Sequence, residues 1–277
     1  MVGCASQAAP PAQRPAAHGL AHADQHADWL PAAQRVERFR QASSLQKLKQ
    51  QLTAQSLQGV THLELTERGW GTPLAQLIAN SPALDHIVVL DLSGNDIRDD
   101  GLQALSDSSH LAQLRSLTLS SNGIGPAGLE ELSRSKLLRR LKSLDLTMNP
   151  VGVQGAEALA ASPHTAGLEF LFLLGSGIES EGAEALAQAE HLGSLVLLAL
   201  GGNAIGDTGA EAIAQSQSLP SLTTLDLSAN NIGHAGAKAL ANSPHLARLG
   251  ALELFGNNLG SASRTTLQKR FGSRVKM

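Results

Sequence analysis

Four groups of residues in this 277-residue chain have types and spacings that could do chemistry. Gly123-Ile-Gly125-Pro-Ala-Gly128 has the spacing G-x-G-x-x-G. Between a strand and a helix, such glycines let the backbone approach a dinucleotide pyrophosphate. His18, His22 and His26 are four residues apart, with Asp24 and Asp28 beside them. On one helical face, two such histidines can bind zinc. His110, His164, His191 and His245 recur at multiples of 27 residues, as do Asp91, Asp145 and Asp226, which are candidate acid–base carboxylates. The motifs G-x-x-x-x-G-K-[ST], H-E-x-x-H and G-x-S-x-G do not occur.

The elements that must carry these residues explain most of them away. Asn95, Asn122, Asn149, Asn203, Asn230 and Asn257 stand 27 residues apart, or 54 where Ser176 takes the place. Leucine pairs from Leu90/Leu92 to Leu252/Leu254 sit five and three residues before each such position. The unit reads L-x-x-L-x-L-x-x-N-x-I-G-x-x-G-A-x-A-L-A, and an atypical first copy with Leu63, Leu65 and Arg68 makes eight copies. L-x-L alternates with period two and predicts a strand with one face buried. Gly-Ala-x-Ala-Leu-Ala predicts a helix, with small residues where neighbouring helices pack closely. One strand and one helix cannot bury their apolar faces alone, whereas stacked copies can. Gly125 and Gly128 fall in slots shared by the other copies, so the repeat accounts for them and no cofactor is expected. The recurring histidines fall in the helix-to-strand connection, where a polar role is expected and no metal site. Asp91 and Asp145 lie two copies apart, too far for a simple carboxylate pair, and no activated nucleophile is present. The chain is expected not to be an enzyme.

The unit resembles a leucine-rich repeat of the ribonuclease-inhibitor-like class. Gly155-Ala-Glu-Ala-Leu-Ala160, Gly182-Ala-Glu-Ala-Leu-Ala187 and Gly236-Ala-Lys-Ala-Leu-Ala241 are similar to the bacterial GALA-type subclass. The resemblance implies an α/β fold, a right-handed β-α solenoid with a parallel concave sheet and convex helices. It implies that Asn95, Asn122, Asn149, Asn203, Asn230 and Asn257 satisfy backbone groups in each turn, a role from which Arg68 and Ser176 depart. It also implies two alternative roles: an effector or adaptor linking a target to ubiquitin ligation, or a regulator of a small GTPase. Leu30-Pro31 with Val36 and Phe39 echoes an F-box start only weakly.

The sequence divides into a disordered Ala/Pro-rich head (1–24), a helical N-terminal cap (25–56), the repeats (57–262) and a C-terminal cap with a basic tail (263–277). Val2-Gly3-Cys4-Ala5-Ser6 resembles the end of a bacterial lipoprotein signal without the apolar region that should precede it. A cytoplasmic location is favoured. The alternatives are a lipid anchor at Cys4, if the true start lies upstream, and secretion as an effector. One cysteine excludes an intrachain disulfide. A formal net charge of −3 argues against a generic nucleic-acid binder. The absence of tyrosine argues against a base-stacking platform. No apolar run approaches the roughly 18 residues of a spanning helix.

Alternation places three rows of side chains on the concave face. The residue between the leucines is Glu64, Asp91, Thr118, Asp145, Phe172, Ala199, Asp226 and Glu253 in successive copies. The preceding row includes Phe170 and Leu197, and the following row Leu174 and Phe255. Phe170, Phe172, Leu174 and Leu197 are expected to form an exposed apolar patch, with Met148 at its margin and acids around it. Such a patch with a polar rim is the usual mark of a protein contact. The expected function is therefore a protein-binding module. Phe170, Phe172, Leu174, Leu197 and Phe255 would supply contact area, and Asp91, Asp145, Asp226 and Glu253 would steer the partner. Self-association and cover by the chain's own head are the alternatives.

Overall fold

A computed structural model of the chain describes residues 35–39 and 41–277. Ten short strands form one parallel sheet in chain order: β1 (Val36–Glu37), β2 (His62–Glu64), β3 (Val89–Asp91), β4 (Ser116–Thr118), β5 (Ser143–Asp145), β6 (Phe170–Phe172), β7 (Leu197–Ala199), β8 (Thr224–Asp226), β9 (Ala251–Glu253) and β10 (Val275–Lys276). The helices are α1 (Leu45–Gln51), α2 (Gly71–Ala79), α3 (Arg98–Ser106), α4 (Pro126–Arg134), α5 (Gly152–Ala161), α6 (Glu179–Gln188), α7 (Gly206–Gln215), α8 (His234–Asn242) and α9 (Ser261–Phe271). From β2 to β9, residues 27 apart are partners in the ladder, as in Leu117↔Leu144 and Leu144↔Leu171. The repeat is thus an α/β leucine-rich-repeat solenoid, and its eight sequence copies carry β2 to β9. One apolar core runs its whole length, built from the strand leucines and the inner face of each helix.

The asparagines hold one turn to the next. Asn122 Oδ1 accepts from the backbone N–H of Asn95 (3.0 Å) and Ile97 (3.3 Å), while its Nδ2 donates to the carbonyls of Leu92 (3.0 Å) and Leu119 (2.9 Å). Asn149 repeats this on Asn122, Ile124, Leu119 and Leu146. Asn203 and Asn230 do the same further along, and Asn257 closes the series. A primary amide offers two donors and an acceptor, which is what a buried turn with orphan N–H and C=O groups requires. Ser176 Oγ reaches the carbonyls of Leu146 and Leu174 (3.2 and 3.3 Å), but its hydroxyl has one proton for both. The N–H of Val151 bonds instead to the carbonyl of Asn149 (2.8 Å).

The glycine slot at each helix start answers to close packing. A Cβ on Gly209 would lie 2.2 Å from Ile205 Cγ2 and 3.0 Å from the Ala183 Cβ of the preceding helix. One on Gly101 would lie 2.4 Å from Ile97 Cγ2. No side chain fits at those separations.

The ends are finished differently. The segment 25–56, expected to be helical, contains strand β1 in its described portion, with Val36 and Glu37 opposite His62 and Leu63. The carbonyl of Arg35 accepts from Thr61 and His62, which ties this stretch to the sheet rather than to a helix. Among the described residues of this segment, helix begins after Ser44, whose side chain accepts from the N–H of Lys47. Arg68, in the asparagine slot of the first copy, donates to the carbonyls of Ala42, Arg38 and Phe39. At the other end, Arg270 donates to the carbonyl of Ser243, and Arg274 to those of Leu249 and Phe271. β10 continues the sheet, and Lys276 pairs with Glu253 at 2.8 Å. The basic tail is thus spent largely on carbonyls and a carboxylate of the last turns. The head at 1–24, Cys4, the His18/His22/His26 group and Leu30-Pro31 lie outside the described residues.

Candidate functional site

The G-x-G-x-x-G glycines are built as the repeat requires. Gly125 caps the N-terminus of α4, and its N–H donates to Asp99 Oδ1 of the preceding helix at 2.6 Å. Asp207 does the same further along the solenoid, accepting from Gly233 (2.6 Å) and Gly236 (2.9 Å). A carboxylate of the protein itself takes the place where a phosphate would sit at these helix starts. The recurring histidines occupy the connections, as the repeat predicts. His110 Nδ1 lies 2.7 Å from Asp85 Oδ1, and the backbone N–H groups of His164 and His245 donate to Ser162 and Ser243. No group of three His, Cys, Asp or Glu among the described residues could hold a metal ion.

The concave face is where the copies differ. Register aligns Glu64, Asp91, Thr118, Asp145, Phe172, Ala199, Asp226 and Glu253 in one row across eight strands. Phe170, Phe172, Leu197 and Ala199 form a second apolar cluster, separate from the core, with Leu174 packed against it. The expected neighbourhood is therefore formed, but its expected exposure is corrected. Phe170 is 1% exposed, Phe172 3% and Leu197 7%. Lateral packing contributes: Phe170 lies opposite Leu197 on the next strand, and Phe172 opposite Ala199. Leu174 is half-buried, while among the described residues Phe255 (48%) and Met148 (54%) are the exposed large apolar residues.

The acids also have a structural role that their spacing did not reveal. Asp91 Oδ1 accepts from the N–H and hydroxyl of Ser93 at 2.9 and 2.5 Å. Asp145 Oδ1 accepts from the N–H of Thr147 (2.9 Å), and Asp226 Oδ1 from that of Ser228 (2.8 Å). Each carboxylate thus fastens the end of its own strand through one oxygen. Burial pushes the Asp145 carboxyl above the usual carboxylate range, against the bonds from Thr147, and the charge of Asp91 adds to the rise. Burial likewise raises Asp91, helped by Glu64 and opposed by Ser93 and His62. Glu64 is paired with Arg38, and Glu253 with Lys276. Among the described residues Asp91, Asp145 and Asp226 have no ion-pair partner, so negative charge stands on both sides of the apolar cluster. Sequence reasoning missed Asp99 and Asp207, and it named Arg68 only as a departure from the asparagine slot, without its bonds to the carbonyls of Arg38, Phe39 and Ala42. The only signal for them was an acid in a helix's first turn opposite the next copy's glycine, and an arginine in the asparagine slot.

A leucine-rich-repeat family model matches residues 84–106, 110–133, 139–160, 194–214 and 218–241. The crystal structure of a protein from Bacteroides fragilis superposes with a TM-score of 0.50 at 17% identity, covering 83% of this chain and 68% of that one. That likeness concerns the fold. No curated protein matches the chain. With the 27-residue register and the ten-stranded parallel sheet, these findings identify a leucine-rich-repeat protein. The match is to leucine-rich repeats in general and does not single out the GALA-type subclass. Such repeats generally mediate protein–protein contacts. No helix among the described residues is long and apolar enough to cross a membrane.

Proposed function

We propose that the chain is a non-catalytic protein-recognition module and that its concave face carries the contact. The observation behind this reading is the second apolar cluster, Phe170, Phe172, Leu197 and Ala199 with Leu174, on a sheet face that needs no apolar residue to fold. The equivalent positions on β4 and β5 are Ser116, Thr118, Ser143 and Asp145, and they serve the fold equally well. Leu174 and Phe255 offer accessible apolar area, and Asp91, Asp145 and Asp226 favour a partner with basic groups around an apolar segment. Charge of this kind orients a partner and speeds its approach more than it adds affinity.

The test is affinity capture with three full-length proteins whose circular dichroism is the same: wild type, Leu174→Asp/Phe255→Asp, and Glu211→Lys on the exposed face of α7. The reading expects a partner held by wild type and by Glu211→Lys and lost from the concave variant. A partner held equally by the concave variant and lost from Glu211→Lys would move the contact to the helices.

A further inference from the structure

Charge is not spread evenly along the repeats. Between Lys142 and Lys238 the sequence holds no Lys or Arg but ten Asp and Glu. Immediately before this stretch, residues 134–142 hold five cations and no acid. They lie at the end of α4 and in the connection from α4 to β5. The fold does not ask for them, since the connections from α5 to β6 and from α6 to β7 contain no Lys or Arg. Like charges held so close repel one another. Lys142 is balanced by Glu169 at 2.8 Å, and Arg134 lies near Glu130 and Glu131 of its own helix, at 3.9 and 3.4 Å. Lys136, Arg139 and Arg140 have no carboxylate partner among the described residues, and Lys136 and Arg139 are exposed.

Matching carboxylates sit on the same edge of the solenoid. Glu190 occupies the slot of Lys136 two copies further on, in the connection from α6 to β7, and it too is exposed. Beside it a groove runs between α5 and α6. The buried or half-buried Ala160, Ala185 and Ala189 form its floor, and the exposed Glu157 and Glu190 its rim. A long basic side chain can lay its methylenes on such alanines and keep its charge at the carboxylates. Glu184, on α6, stands one copy on from Glu157. Packed helices lie about 8–10 Å apart, so the basic and acidic groups are roughly 20 Å apart along the edge. The slot midway between Lys136 and Glu190 is held by the uncharged, exposed Pro163.

We propose that two copies of the chain associate through this edge, about a two-fold axis near Pro163. The axis sets Lys136 and Arg139 of each protomer against Glu184 and Glu190 of its partner, so every ion pair is made twice, as an isologous contact requires. Pro163 meets its own image there without a clash of charge. An unrelated basic partner would satisfy the carboxylates but leave Lys136 and Arg139 unpaired, whereas a second copy satisfies both sets. The contact lies at the helix-to-strand connections rather than on the strands, so it does not rest on the recognition function of the concave face.

Sedimentation of the full-length chain tests this. Wild type should form a reversible dimer at low ionic strength, and its dissociation constant should rise about tenfold in high salt, where screening shortens the reach of exposed charges. Lys136→Glu/Arg139→Glu and Glu184→Lys/Glu190→Lys should each be monomeric, with far-ultraviolet circular dichroism unchanged. Mixing the two should restore a one-to-one dimer, because the mixed pair again sets acids against bases at both contacts. A wild type that stays monomeric at every concentration in low salt would overturn the proposal. So would a dimer indifferent to salt and to both reversals, which would assign self-association to another face. Reversed variants that remain monomeric when mixed would overturn it too, and would leave this edge to an unrelated partner. Should either reversal fail to fold, Lys136→Ala/Arg139→Ala and Glu184→Gln/Glu190→Gln take their place. Each should weaken the wild-type dimer about tenfold, the sum of several exposed ion pairs. A neutral variant that dimerises as wild type does would contradict the proposal.

Discussion

The copies on β4 and β5 and the copy on β6 are cut from the same 27-residue unit, yet they diverge in two places at once. On β4 and β5 the concave residues are Ser116, Thr118, Ser143 and Asp145, and the turns are held by the full amide bonding of Asn122 and Asn149. On β6 the concave residues are Phe170 and Phe172, Leu174 follows, and the turn is held by Ser176. Residues 161–193, which hold this copy, also lie between the stretches that match the family model. The inward residues are the same in both regions: Leu144 and Leu171 are equally core residues. Repetition is therefore kept where a side chain sets the distance between turns. It lapses where the side chain looks out, and there a turn with fewer hydrogen bonds is tolerated as well.

The largest expected effect breaks the comparison if it fails. Asn122→Ala strips two backbone N–H groups and two carbonyls of a buried partner. At about 1–3 kcal/mol for each group left unsatisfied, with partial relaxation, the loss is about 3–5 kcal/mol. Ser176→Ala removes one hydroxyl and is expected to cost about 1 kcal/mol. Guanidinium unfolding of the two variants checks this, and equal losses would mean that the β6 turn is as tightly held as the others.

Next in size is the glycine slot. Gly209→Ala forces a methyl against Ile205 and Ala183 and is expected to cost about 2–3 kcal/mol. Gly182→Ala, in the β6 copy, meets its nearest atoms, on Ala156 and Ile178, at 3.0 Å rather than 2.2 Å. It should lower the melting temperature less. A smaller effect with the opposite sign sharpens the contrast. Ser176→Asn restores acceptors for the N–H groups of Asn149 and Val151 and should stabilise by about 1 kcal/mol, seen as a higher denaturation midpoint.

The last concerns charge. Burial raises the carboxyls of Asp91 and Asp145, so the folded state binds protons more tightly than the unfolded chain. Their contribution to stability is present below the ordinary carboxylate value and is lost as pH rises through the raised one. Asp145→Asn keeps an acceptor for Thr147 without the charge. It should raise the melting temperature at neutral pH and weaken the gain on mild acidification. Melting curves between acid and neutral pH read both.

Much of this was legible in the sequence because a period is easy to see and each slot has one physical job. The leucine pairs gave the sheet parity, the asparagine series gave the turns, and the glycine slot anticipated the helix contacts of Gly101 and Gly209. What escaped has no period. β1 is two residues long and owes its form to pairing with His62 and Leu63. Asp99 and Asp207 act on glycines of the following copy, so neither is conspicuous in its own. Parity placed Phe170, Phe172 and Leu197 on the correct face and brought them together, but it says nothing about what lies over that face.

The most direct test of the concave face as the recognition surface is hydroxyl-radical footprinting of the full chain, alone and with its captured partner. The account predicts that oxidation of Leu174, Phe255 and Met148 falls on binding while the exposed residues of α5 to α8 are unaffected. Protection of those helices, with Leu174 and Phe255 oxidised as before, would contradict it.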